Sequence, residues 1–154
     1  MGIVNSIMSI LKEISFGPFY FEIAMMLRTS MLVNGMLFNL EAINNISNNH
    51  INLLEDCDKK LMRRIFEAEQ GTPIESFYLD TCAWPFRYIL MGRQLMYYWT
   101  ILHKKESELV KNVFCAQRDF PSEGDWFSEV QGVLKKCNIN LTEEEISKMS
   151  HYKF

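Results

Sequence analysis

The sequence predicts an all-α fold, a compact set of about seven helices around two buried apolar ones, and three observations carry that expectation. Apolar residues recur at steps of three and four along nearly every segment. Helix-start residues, Ser47, Thr72, Asp125 and Thr142, stand just ahead of four of those segments. No stretch alternates apolar and polar side chains as a half-buried strand would.

Taken in order, Ile3, Ile7, Ile10 and Ile14 predict one apolar face of a short amphipathic helix that stops at Gly17-Pro18. The next element, from about Phe19 to Asn39, is apolar on most faces and is expected at the centre of the fold. Its charges, Glu22 and Arg28, then require partners or an edge, because an unpaired buried charge is costly. The same run approaches membrane-spanning length, but centring Arg28 in lipid would cost several kcal/mol, so a core helix is expected and no membrane partner.

Ser47 suits the N-cap of a helix reaching about Phe66, with Ile51, Leu54, Leu61, Met62 and Ile65 inward. Glu55 with Lys59 and Asp56 with Lys60 form i,i+4 pairs on its outer side. Thr72-Pro73-Ile74-Glu75 has the form of a capping box with proline at N1, and Trp84-Pro85 opens a second apolar helix running to about His103. Farther on, Leu109, Val110, Val113 and Phe114 share a face, as do Trp126, Val130, Val133 and Leu134 behind Asp125. Thr142 and Glu145 form another capping box, with Ile146 and Met149 inward.

Composition narrows the function classes. With 154 residues, 48% of them hydrophobic, there is apolar material for one core, and a single domain over 1–154 is expected. A net charge of −3 excludes the uniformly basic surface of a strong autonomous nucleic-acid binder, so any such contact must come from a local patch. The cysteines at 57, 82, 115 and 137 contain no C-x-x-C pair and no nearby histidine. That pattern points to free thiols in a reducing, intracellular compartment rather than to zinc or a disulfide framework.

The residue types that carry chemistry do not assemble in the sequence. Tyr78-Leu79-Asp80-Thr81 lacks the adjacent carboxylate that two-metal phosphoryl transfer needs for ions about 4 Å apart. It also follows a capping box and so belongs on a helix. Asp56 and Asp58 diverge by about 200° on a helix. Glu143, Glu144 and Glu145 occupy a first helical turn, where acids favour the dipole. His50, His103 and His151 sit in no nucleophile or metal motif, and no Gly-rich phosphate loop occurs. What remains is a basic stripe: Lys59 and Arg63, with Lys60 and Arg64, stack at i,i+4 and can follow a phosphate backbone. Arg87 and Arg93 form a second, weaker pair. The competing reading is that cations near a helix C-terminus simply complement its dipole.

One ordered set of segments goes further. Leu27-Arg28-Thr29-Ser30-Met31-Leu32-Val33 is followed by Phe38-Asn39-Leu40-Glu41-Ala42, Thr72-Pro73, Phe77-Tyr78-Leu79, Pro85-Phe86-Arg87-Tyr88-Ile89 and Arg93-Gln94-Leu95-Met96. Asp125-Trp126 and Leu141-Thr142-Glu143-Glu144-Glu145-Ile146 complete the set. The string resembles the thumb and linker region behind the polymerase core of reverse transcriptases from non-LTR retrotransposons. The sequence departs from that pattern at Gln94, where a second Arg is frequent, at Trp99, where a His is common, and at Ile43, Ala83 and Trp84.

The resemblance implies a non-catalytic portion of an RNA-directed DNA polymerase, with palm and fingers absent, that helps to hold an RNA/DNA template-primer in the intact enzyme. It implies no cofactor in this chain, since the Mg2+ of the parent enzyme belongs to the missing palm. No catalytic residue is expected here. The expected backbone contacts are Lys59, Lys60, Arg63, Arg64, Arg87 and Arg93. The alternative is a helical interaction module from a truncated mobile element, docking on a palm domain or on a copy of itself through exposed Met, Phe and Trp side chains.

Overall fold

The computed structural model describes residues 2–14, 17–69 and 71–149. Among them every regular element is helical, as the apolar spacing predicts: α1 (Gly2–Ile14), α2 (residues 20–36), α3 (Asn48–Ile65), α4 (Ile74–Asp80), α5 (Phe86–Leu102), α6 (Leu109–Asp119), α7 (Trp126–Lys136) and α8 (Glu143–Lys148). Chain contacts divide these elements into two units. The first comprises 1–38 and 47–89, the second 39–46 and 90–154, so each draws on two stretches of chain.

In the first unit α1 buries Val4, Ile7 and Leu11, while Ile3 and Ile10 stay exposed. The inward face is therefore rotated about 60° from the isoleucine stripe. Helix α2 is α-helical over Tyr20–Leu27, π-helical over Arg28–Val33 and α-helical again over Asn34–Met36. Two side chains account for the wide turns: Thr29 Oγ1 and Ser30 Oγ donate to the carbonyls of Met25 and Met26, competing with the backbone donors of the i→i−4 ladder. The apolar run Tyr20–Ala42 is long and apolar enough to cross a membrane by length and composition. Although its residues are apolar on most faces, α2 buries one stripe, Tyr20, Ala24, Arg28, Leu32 and Val33, and leaves Phe21 and Met26 in water.

Ser47 caps α3 as predicted, accepting a bond from the His50 amide at 3.3 Å. Leu61, Met62 and Ile65 are buried; Met62 also packs with Ile74, Phe77 and Tyr78 of α4. The start of α4 is one residue later than the capping-box pattern predicts: Pro73 holds the N-cap position and no side chain caps the helix. Proline's fixed φ presets the entry, and Ser76 Oγ donates back to the Pro73 carbonyl. Glu67 and Cys82 end α3 and α4 with positive φ, followed by i→i−5 bonds from Ala68 to Arg63 and from Ala83 to Tyr78.

The second unit gathers around Tyr98, Ile101, Phe114, Trp126, Val130, Leu134 and Ile146. Asp125 caps α7 through the Ser128 amide at 2.7 Å, and Thr142 with Glu145 forms the predicted capping box on α8. The segment 39–46 is stapled to the start of α7. Trp126 Nε1 donates to the Glu41 carbonyl at 2.8 Å, and the Asn44 and Asn45 amides both donate to the Gly124 carbonyl. Gly124 has φ +81°, and a Cβ there would lie 2.8 Å from Asn45 Nδ2, so the position requires glycine on two counts. Helix α6 differs from the sequence expectation: Phe114 and Lys111 are buried, whereas Leu109, Val110 and Val113 are exposed. Lys111 turns inward because its Nζ donates to the free Leu102 carbonyl at the end of α5 and lies over the Phe114 ring.

Candidate nucleic-acid interface

Helix α3 carries both a buried ion-pair network and the basic stripe, on different sides. Inward, Arg28 Nε and Nη2 donate to the two Asp58 oxygens at 2.7 and 2.6 Å, the bidentate geometry that a guanidinium and a carboxylate favour. Tyr78 Oη donates to Asp58 Oδ2 at 2.8 Å, and Arg28 Nη2 also donates to the Trp84 carbonyl at 3.0 Å. Burial, and then the Asp58 carboxylate, push the Tyr78 hydroxyl above its ordinary range, which keeps it a donor. The partner that Arg28 requires is thus Asp58, supplied from 30 positions away.

Outward, the four predicted cations differ in what surrounds them. Lys59 Nζ lies 3.8 Å from Asp56 Oδ1, a weak surface pair. Arg63 Nη1 donates to the Glu69 carbonyl at 3.1 Å, in the turn beyond the end of the helix, which ties that turn back to α3. Arg64 Nη1 donates to Asn5 Oδ1 on α1 at 3.0 Å. Lys60 is exposed. The partners of Arg63 and Arg64 are neutral amide and carbonyl groups, which orient the guanidinium, and neither side chain forms an ion pair among the described residues.

The structure adds a cation that the sequence reading did not include. Lys12 of α1 lines, with Arg64, Asn5, Met8 and Ser9, a surface cleft of about 430 Å3. Lys12 lies in the last turn of its helix, where a cation is unremarkable, and nothing in the sequence announces that α1 lies beside α3 there.

Arg87 is compensated: its Nε lies 3.4 Å from Glu55 Oε1 and its Nη2 donates to Asn52 Oδ1. Glu55 is therefore engaged across helices instead of with Lys59 as the i,i+4 spacing suggests. In the second unit Arg93 lines a cleft with Glu41, Met96, Tyr97 and Thr100. Lys59, Lys60, Arg63 and Arg64 share one helix of the first unit with Arg87 paired to that helix.

The carboxylates hold the structural positions expected of them. Asp80 is exposed at the end of α4, Asp56 and Asp58 point apart, and Glu145 is engaged in its capping box. Among the described residues no group of three His, Cys, Asp or Glu side chains is placed to hold a metal ion. Compared with protein-family models, with curated proteins and with solved structures, the chain has no match.

Proposed function

We propose that this chain is a non-catalytic thumb-and-linker portion of an RNA-directed DNA polymerase, and that the outer side of α3 grips the sugar-phosphate backbone of a template-primer duplex. The reading rests on the ordered sequence resemblance and on one observation: Arg63 and Arg64 are held in place by neutral partners, beside exposed Lys60. Oriented cations that form no ion pair are what backbone contacts require, and they carry no base specificity. Lys12 extends the patch onto α1.

An anisotropy titration with an RNA–DNA hybrid tests the proposal. If three cations displace counterions, affinity falls by about 40-fold between 50 and 200 mM salt. Reversing Lys60, Arg63 and Arg64 to glutamate removes binding, whereas Arg87→Glu changes it little. Salt-independent or absent binding refutes the reading.

A second reading, self-association, is favoured by the exposed apolar side of the second unit, where Leu109 is 76% and Phe120 82% exposed, with Val110 and Val113 between. Light scattering separates the two: a monomer that binds no apolar dye removes this alternative.

A further inference from the structure

We infer that the first unit contains a recognition site for a quaternary ammonium group, in the cleft between the end of α4 and the first turn of α5. The cleft has a volume of about 530 Å3, within the range of small-ligand sites, and Trp84, Tyr88, Tyr78, Leu79 and Glu75 line it. Its aromatic walls are presented to water instead of being spent on the core: Trp84 is 67% and Tyr88 54% exposed. The two rings stand 6.3 Å apart at 69°, two sides of a corner.

The corner is braced from behind. Arg28 holds the Trp84 carbonyl, the Ala83 amide donates to the Tyr78 carbonyl at 3.0 Å, and Tyr78 Oη is tied to Asp58. These bonds fix the backbone at Trp84 and the Tyr78 side chain, so that part of the cleft is ordered before a ligand arrives, which lowers the cost of association.

Charge selects the ligand. Glu75 is the charged side chain of the lining and has no ion pair among the described residues, and the faces of aromatic rings are electronegative. Both features favour a cation and disfavour an anion. Hydrogen bonding narrows the class further. Apart from Glu75 and Cys82 the lining is aromatic or aliphatic, with Leu79, Ala83 and Pro85 beside the rings, and the Tyr78 hydroxyl is already committed to Asp58, so a cation clad in methyl groups matches the walls better than a bare ammonium. A trimethylammonium group has no N–H to satisfy and presents a methyl shell to Trp84 and Tyr88. The inference is independent of the nucleic-acid reading, which concerns the opposite charge on a different helix.

Saturation-transfer NMR on the methyl signal of tetramethylammonium, with neopentyl alcohol, a neutral molecule of similar shape, as control, tests the site. The expected result is saturable binding of the cation, weakened about five-fold or more by Trp84→Ala and by Glu75→Gln, with both variants retaining the parent's circular dichroism. Equal binding of the neutral alcohol, or undiminished binding in either variant, overturns the inference, as does absence of saturable binding to the parent. Choline and a trimethyllysine-containing peptide then distinguish the two sources of the group by which of them binds more tightly.

Discussion

Replacing Asp58 by alanine removes the acceptor around which the first unit is tied. The substitution deletes the bidentate pair with Arg28 and the bond from Tyr78, three hydrogen bonds of 2.6–2.8 Å, and leaves a guanidinium with a 3% exposed side chain facing the Trp84 carbonyl and the Tyr78 ring, with no carboxylate beside it among the described residues. Breaking a buried pair from one side costs about 3–5 kcal/mol, chiefly from the stranded charge. Arg28→Met strands the carboxylate and should cost a similar amount. The double variant Arg28→Met, Asp58→Ala strands neither charge, so it should recover a large part of the loss. Urea denaturation of the four proteins of this cycle, followed by circular dichroism, gives the coupling directly. The reasoning is refuted if Asp58→Ala costs less than about 1 kcal/mol, or if the two single losses simply add in the double variant.

Gly124→Ala should destabilise the second unit by about 2 kcal/mol, since it combines a left-handed backbone with a collision at Asn45; thermal denaturation reads the loss. Glu67→Gly should raise stability by about 1 kcal/mol, because Glu67 adopts φ +47° at the end of α3, where glycine carries no Cβ penalty. Backbone amides hold the Asp125 and Glu145 carboxyls below their ordinary ranges. Their contribution is present above the unfolded carboxylate pKa and is lost as pH falls through the folded value, so the Ser122 and Ser128 amide signals, which report on Asp125, and the Thr142 amide signal, which reports on Glu145, should move in acid before global unfolding. Burial, with Glu143 nearby, pushes the Tyr98 hydroxyl up to about 12, so its contribution is complete below the ordinary phenolic pKa and is lost as pH rises through the folded one. Tyr98→Phe should flatten an alkaline denaturation curve over that window.

Local signals were legible in the sequence, and pairings between distant segments were not. Ser47, Asp125 and Thr142 cap as their positions predict because an N-cap is decided within four residues. Helix faces were harder where the apolar arc is wide. Ile3, Val4, Ile7, Ile10, Leu11 and Ile14 offer two overlapping stripes, and packing against other elements selects Val4, Ile7 and Leu11. On α6 a hydrophobic pattern alone would bury Leu109 and Val113; the unbonded Leu102 carbonyl recruits Lys111 inward instead. The Arg28–Asp58 pair follows the same logic, since the sequence states that Arg28 needs a partner without stating which of the acids supplies it. At the candidate interface the stripe on α3 was visible from i,i+4 spacing, whereas the neutral partners that orient Arg63 and Arg64, and the arrival of Lys12, depend on tertiary placement.

The interleaving of the two units has a consequence for the order in which a ribosome delivers them. Residues 39–46 emerge before α3, yet their partners at Gly124 and Trp126 are synthesised some eighty positions later. The first unit is complete once residue 89 has emerged, so it can close while that short segment waits as an unpaired loop in its middle. Cutting the chain at the division between 89 and 90 would therefore not yield two independent halves. The C-terminal piece would lack the strip that accepts the Trp126 indole, and a faithful excision of the second unit would need 39–46 joined to it by a designed linker.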